Sequence, residues 1–143
     1  MNLSKSGKVT RVSNAVAAGT ATTNCTSVDM KGHDAVTFIV AIGAIVATGT
    51  VTVKGQTSSD NSTFNDLTGT SQAYTDADDN KLCILEITKP LERYLRCTVI
   101  TATANGTIDS AIAIQTAASE EPVTQGSTVV GTEQHLAPAE GTA

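Results

Sequence analysis

Aromatic side chains are scarce in this chain. Its 143 residues include two Phe, two Tyr and no Trp. The hydrophobic core therefore has to be built from Val, Ile, Ala and Leu. A glycan-binding module relies on exposed aromatic rings for contact area. This chain has only four aromatic rings, and one of them, Phe38, lies in an apolar strand pattern. Few rings are therefore available to contact a glycan.

Basic residues are also few. Nine Lys and Arg stand against 14 Asp and Glu, which gives a net charge of -5. A nucleic-acid-binding protein usually carries a basic stripe interleaved with aromatic residues, and this chain has neither. We therefore predict no nucleic-acid partner.

The few charges are unevenly distributed. Residues 1–11 carry Lys5, Lys8 and Arg11 and no acid, whereas residues 117–143 carry four Glu and no Lys or Arg. Two interpretations remain open. The two ends are solvated tails, or they are arms that dock on oppositely charged neighbours in an assembly.

Cysteines number three, and no two of them form a C-x-x-C pair. An odd count without such pairs argues against a secreted disulfide framework and against a zinc site. Cys83 and Cys97 fall within predicted strands, where a free thiol behaves as a small hydrophobic group. We expect buried, inert thiols.

Long apolar segments are missing. The apolar run at residues 35–47 has 13 residues, whereas a helix needs about 20 to cross a bilayer. The N-terminus lacks the apolar stretch of a signal peptide. We expect no membrane contact and a protein made and kept in a cytoplasm-like compartment.

The pattern that is present is alternation. In residues 35–42 every second side chain is large and apolar, namely Val36, Phe38, Val40 and Ile42. The opposite side of this strand is more weakly apolar. Residues 50–54 alternate strictly, with Val51 and Val53 on the apolar side. We predict that these two strands, joined by a turn, form the centre of an antiparallel sheet.

Further strand-like segments follow, with turn signals every 8 to 14 residues. They span residues 9–16, 24–30, 81–88, 93–101 and 108–115. About seven or eight strands and no convincing helix predict an all-β protein. The expected architecture is an antiparallel β-sandwich of jelly-roll or immunoglobulin-like type.

Composition divides the chain into three parts. We predict an extended N-terminal arm at residues 1–11, a β-sandwich domain at 12–116 and a flexible C-terminal tail at 117–143. The tail holds Pro122, Pro138 and three Gly and has few large apolar residues. It cannot bury enough surface to offset its ordering entropy, so we expect it to order only against a partner.

The best candidate for a metal site is the acidic loop at residues 75–80. Asp76, Asp78 and Asn80 match the first three ligand positions of a calcium loop. The pattern then fails, because Lys81 stands where the loop needs Gly and Ile87 where it needs a bidentate acid. We predict a solvated hairpin loop, no metal and no cofactor.

Catalytic arrangements are missing as well. His33 lies in a predicted turn and His135 in the tail, and neither has a nucleophile or carboxylate at a meaningful spacing. No glycine-rich loop has the offsets of a phosphate cradle. Glu86 is expected to face solvent on its strand. We predict that the protein is not an enzyme.

One strand carries a cluster of residues that favour interfaces. Arg93 and Arg96 flank Tyr94, and Tyr94 and Arg96 share a face. Arg side chains of this kind either lie along a sheet surface or anchor a protein interface. Our candidate partner-binding residues combine this cluster with the basic residues of the arm: Lys5, Lys8, Arg11, Arg93, Tyr94 and Arg96.

Three segments together resemble a known group. Residues 55–67 read Gly-Gln-Thr-Ser-Ser-Asp-Asn-Ser-Thr-Phe-Asn-Asp-Leu, residues 78–81 read Asp-Asp-Asn-Lys, and residues 89–97 read Lys-Pro-Leu-Glu-Arg-Tyr-Leu-Arg-Cys. In this order they resemble small virion proteins encoded in the structural modules of tailed bacteriophages, over residues 12–116. The Ser-x-Asp-x-Ser-x-Phe part also occurs in unrelated β-sandwich modules, some of which bind carbohydrate.

The resemblance implies a capsid decoration, or cement, protein. Such proteins are small, often trimeric and without a catalytic site, and they bind the outside of an assembled icosahedral shell. The implied partners are the major capsid protein and further copies of this chain, and the implied location is the virion surface. Another virion component, such as a head-completion or tail protein, is the alternative, and a glycan-binding β-sandwich is the more remote one.

Overall fold

The structure, a computed structural model, describes residues 2–137 and 139–142. Strands dominate it, with one short helix, α1 (Leu3–Ser6), and a single 3-10 turn at Asp76–Asp78. The strands are β1 (Lys8–Ser13), β2 (Val16–Gly19), β3 (Thr22–Asn24), β4 (Val28–Asp29), β5 (His33–Ile45), β6 (Thr50–Ser58), β7 (Asn65–Asp66), β8 (Gln72–Thr75), β9 (Leu82–Thr88), β10 (Tyr94–Ala102) and β11 (Gly106–Ala118).

The strands form two sheets, and every pairing is antiparallel. The front sheet has the order β1–β11–β5–β9, with β2 also pairing with β11. The back sheet has the order β3–β10–β6–β7, with β4 also pairing with β10 and β8 with β6. The predicted all-β sandwich is confirmed.

The core lies between the two sheets and is built from the alternating apolar positions. Phe38, Val36 and Val40 of β5 are fully buried, as are Val51 and Val53 of β6. Burying an apolar side chain of this size contributes about 1.5–3 kcal/mol relative to leaving it exposed. The inward positions that the sequence pattern predicted on β5 and β6 are therefore confirmed.

The pairing predicted for these two strands is wrong. β5 lies in the front sheet and β6 in the back sheet, so residues 46–49 connect the two layers instead of closing a hairpin. If β5 and β6 were neighbours in one sheet, another part of the protein would have to cover the apolar faces of both strands. In opposing sheets they cover each other, which is how sandwich cores form.

Among the described residues the number of strands is higher than predicted, with 11 in place of seven or eight. The additional strands are short, such as β4 (Val28–Asp29) and β7 (Asn65–Asp66), with two residues each. Two-residue strands are too short to show a period in the sequence. They exist because β10 and β6 offer hydrogen-bonding edges to the passing chain.

The predicted boundaries of the arm and the tail also need correction. Residues 8–11 of the predicted arm belong to β1, which pairs with β11. Residues 117 and 118 of the predicted tail complete β11. Beyond β11 the tail returns to the arm, where the Val123 amide donates to the Lys5 carbonyl at 2.8 Å. The two ends of the chain therefore contact each other along one edge of the front sheet.

Candidate interaction surface

The candidate residues on β10 are engaged within the chain. Just before the strand, Arg93 donates two hydrogen bonds to the carboxylate of Asp29, at 2.9 and 2.7 Å. This guanidinium lowers the pKa of Asp29 to about 2. The Arg93 guanidinium also lies 5.1 Å from the centroid of the Tyr94 ring. The charge of Arg93 is thus compensated by Asp29 of the same chain.

Arg96 belongs to a polar network on the outer surface of the back sheet. Its guanidinium lies 4.0 Å from the centroid of the Phe64 ring, a cation–π contact. Its Nε donates to Gln56 Oε1 at 2.8 Å. Gln56 in turn donates to Asp66, which also accepts from Lys54, both at 2.7 Å. The outer surface of the back sheet is therefore polar and internally hydrogen-bonded.

The candidate residues of the arm lie elsewhere, along the β1 edge of the front sheet. Lys5 is exposed in the last turn of α1, and Arg11 is exposed on β1. Lys8 is partly buried opposite Gln115. The structure therefore separates the six candidate residues into two groups on different sheets. Their role in partner binding stays a prediction.

A further surface was not predicted from the sequence, and it is the outer face of the front sheet. Ile84 on β9 pairs with Ile39 on β5, and Ile39 pairs with Ile112 on β11. The neighbouring rows add further apolar side chains. We define the outer apolar face as Val9, Ile39, Ala41, Leu82, Ile84, Ile112 and Ile114.

This face departs from the usual sheet pattern. An antiparallel sheet at a protein surface normally has a polar outer side, as the back sheet does here. In the front sheet Leu82 and Ile84 are 65% and 58% exposed, while Ile39 at the centre is partly buried. The face spans four strands, or about 15 Å across. Contiguous exposed apolar surface of this kind marks interaction sites.

Charged side chains flank the outer apolar face at its two edges. Glu86 lies on β9, in the row that runs through Thr37 and Ile114 to Val9. Arg11 lies on β1, at the opposite edge, in the row of Ile84. The surface thus has an apolar centre with an acidic edge and a basic edge.

A depression of about 430 Å³ continues the outer apolar face at the β1 edge. Leu3 of α1, Val9 of β1 and Val129 of the tail line it together with Gln125. Gln125 Oε1 accepts from the Val9 amide at 2.9 Å, and its Nε2 donates to the Gly7 carbonyl at 2.7 Å. The tail therefore provides a hydrogen-bond acceptor for the Val9 amide, which no neighbouring strand pairs with at the edge of the sheet.

A second depression, of about 570 Å³, lies at one end of the sandwich. It is lined by residues of both charges, among them Lys31, Asp34, Glu92 and Arg93. Its His33 is the first residue of β5 and not part of a turn, and no described atom hydrogen-bonds to its ring nitrogens. The lining residues include no Ser, Thr or Cys.

The acidic loop folds as a capped turn. The Thr75 amide donates to Asp78 Oδ2 at 3.2 Å, and Lys81 Nζ lies 3.3 Å from Asp78 Oδ1. These contacts keep the pKa of Asp78 low. Across residues 2–137 and 139–142, no group of three or more His, Cys, Asp or Glu side chains is placed to hold a metal ion.

The sequence held a signal for the outer apolar face. Glu86 was expected to face solvent, and Leu82 and Ile84 share its side of β9. The weakly apolar side of β5 contains Ile39 and Ala41. The pattern of β5 or of β9 alone does not predict the outer apolar face. The face forms only when the register aligns the apolar residues of both strands with those of β11.

Within the described part of the chain, no helix is long and apolar enough to cross a membrane. No protein-family model matches this chain, and no curated protein matches it. Among solved structures, it is similar to a chain of the Bacillus endospore appendages, which form a novel family of disulfide-linked pili. The TM-score is 0.50 at 12% identity, over 78% of this chain and 88% of that chain. At this identity the likeness concerns the fold alone.

Proposed function

We propose that this chain is a non-catalytic structural protein of a tailed-bacteriophage virion, a capsid decoration protein that binds the outer surface of the assembled head. The observation that carries the proposal is the outer apolar face of the front sheet. A protein of this size gains nothing from exposing Leu82 and Ile84 unless a partner covers them. The resemblance of residues 55–67 and 89–97 to virion proteins supplies the partner, the major capsid protein.

A decoration protein stabilises a shell by binding across the joints between capsid subunits. Each apolar side chain removed from water contributes to that binding, and the central ones contribute most. Several linked copies bind more firmly than one, because the second contact forms at a high effective concentration. We propose a homo-oligomer, a trimer, made in the bacterial cytoplasm and located on the virion surface.

The charged edges support a contact between copies. A closed ring of three copies requires a head-to-tail interface, in which one edge of a copy meets the opposite edge of the next. Arg11 and Glu86 lie at opposite edges of the front sheet and carry opposite charges. Such a pairing would orient the outer apolar faces of the three copies in the same direction.

The test is binding to empty phage shells. The variant Ile84→Lys places a charge in the outer apolar face at a position that is already 58% exposed, so the fold is retained. We expect binding to fall by about tenfold or more, equivalent to about 1.4 kcal/mol. The matched control is Thr52→Lys on the outer side of the back sheet, which should bind as the wild type does.

Equal binding by Ile84→Lys and the wild type would contradict docking through this face. Copy number separates the alternatives within the virion, because a decoration protein is present in many copies and a neck or tail protein in few. No observation favours a glycan-binding module, since Phe38 is buried and Phe64, Tyr74 and Tyr94 are only partly exposed.

A further inference from the structure

Two of the three cysteines lie opposite each other, Cys25 just after β3 and Cys97 on β10. The register pairs Asn24 with Thr98, so the next pair is Cys25 and Cys97. The Cys25 amide donates to the Cys97 carbonyl at 3.1 Å, and the two side chains are 3% and 0% exposed. Opposite residues of such a pair have Cα atoms about 5.5 Å apart. A disulfide bridges Cα separations of about 4.4–6.8 Å.

The two thiols are also chemically different. A hydrogen bond from Cys97 lowers the pKa of the Cys25 thiol in spite of its burial, and the charge of Arg96 acts in the same direction. The same hydrogen bond and burial raise the pKa of Cys97. Since the thiolate is the nucleophile, Cys25 is the thiol that reacts first.

The third cysteine is in a different environment. Cys83 lies on β9 in the front sheet, where its sulfur accepts a hydrogen bond from the Tyr74 hydroxyl at 3.1 Å. Burial raises its pKa. It has no cysteine opposite it, because its partner across the ladder is Val40. Cys83 is therefore a control within the same chain.

We propose that Cys25 and Cys97 form an intramolecular disulfide when the protein meets a low-molecular-weight disulfide such as oxidised glutathione. The Cys25 thiolate attacks one sulfur of glutathione disulfide, and one glutathione thiolate leaves. Cys97 then loses its proton and attacks the Cys25 sulfur of the mixed disulfide, which releases the second glutathione. The two protein thiols are oxidised, glutathione disulfide is reduced to two thiols, and their protons come from Cys25 and Cys97.

The fold provides a route to the buried thiol. Residues 25–27 lie between β3 and β4 and belong to neither strand. One hydrogen bond holds this segment to the opposite sheet, from the Thr26 amide to the Val12 carbonyl at 2.8 Å. Local opening of such a short segment outside the strands requires less free energy than global unfolding. The disulfide would then tie the link between β3 and β4 to the strand β10, with which both pair.

The chain thus folds with reduced thiols and acquires a covalent link in an oxidising environment. This inference does not depend on the proposed function. The closed loop would contain about 70 residues, and links of that length are expected to raise the melting temperature by about 10–15 °C.

The experiment uses the full-length variant Cys83→Ala, incubated with oxidised glutathione at pH 8. We expect the titratable thiols, counted after denaturation, to fall from two to none, with a mass loss of about 2 Da. Digestion should yield a peptide pair linked through Cys25 and Cys97. Chemical reduction should restore both thiols and the original melting temperature.

The wild type and a second variant complete the test. The oxidised wild type should retain one thiol, assigned to Cys83 by alkylation and peptide mapping. Cys97→Ala should stop at the mixed disulfide on Cys25, and the wild-type result stands even if this variant folds poorly. Two remaining thiols in oxidised Cys83→Ala, a persistent glutathione adduct, or a linked peptide containing Cys83 would overturn the proposal.

Discussion

The Arg93 guanidinium donates to both carboxylate oxygens of Asp29, at 2.9 and 2.7 Å, and so joins β4 to the start of β10. This contact lowers the pKa of Asp29 to about 2, below its ordinary value of 3.8. A carboxyl with a lowered pKa in the folded state stabilises the fold above its unfolded pKa. Its contribution is lost as the pH falls from about 4 to about 2.

We expect Arg93→Ala to lower the melting temperature by about 2 °C at pH 7, because an exposed ion pair contributes little. The difference from the wild type should shrink as the pH falls from about 4 to about 2, because Asp29 is protonated first in the unfolded state and then in the folded state. Thermal melts between pH 2 and pH 7 measure this. Arg93→Lys is the control, since it keeps the charge without the bidentate geometry. A difference that stays constant down to pH 2 would contradict the assignment.

The contact between tail and arm leads to a second prediction. Gln125→Ala removes the acceptor for the Val9 amide and the donor for the Ser4 and Gly7 carbonyls. We expect a loss of about 1 kcal/mol in the free energy of unfolding, the usual contribution of such hydrogen bonds. Urea denaturation provides the value.

Hydrogen exchange locates the same effect. The Val9 amide should exchange faster in Gln125→Ala through local opening, whereas amides on β10 should change by no more than the loss in global stability. Gln134→Ala, which alters another glutamine of the tail, is the matched control. Unchanged exchange at Val9 would mean that the tail does not protect the edge of β1.

The charged edges of the front sheet lead to a third prediction. If Arg11 of one copy meets Glu86 of the next, Arg11→Glu alone should reduce self-association, because it places like charges in contact. Glu86→Arg alone should do the same, and the double variant should restore the wild-type oligomer. Sedimentation velocity at low and high salt measures this. A double variant no better than either single variant would contradict the pairing.

Much of the strand content could be predicted from the sequence. Alternation placed Phe38, Val51 and Val53 in the core, and the segments predicted at 81–88 and 93–101 correspond to β9 and β10. These predictions succeed because side-chain direction along a strand follows from local geometry alone. The candidate residues were harder to place, because the sequence does not show that Arg93 contacts Asp29 or that Arg96 contacts Phe64. A role of either residue in partner binding stays a prediction.

By itself, the sequence determined the fold class, the inward faces of the long strands and the mainly aliphatic character of the core. Only the tertiary structure decided which strands are neighbours. It placed β5 and β6 in opposing sheets, aligned Ile39, Ile84 and Ile112 on one surface and set Cys25 opposite Cys97. Periodicity reports which side of a strand is apolar, but strand order and register depend on contacts between residues far apart in the chain.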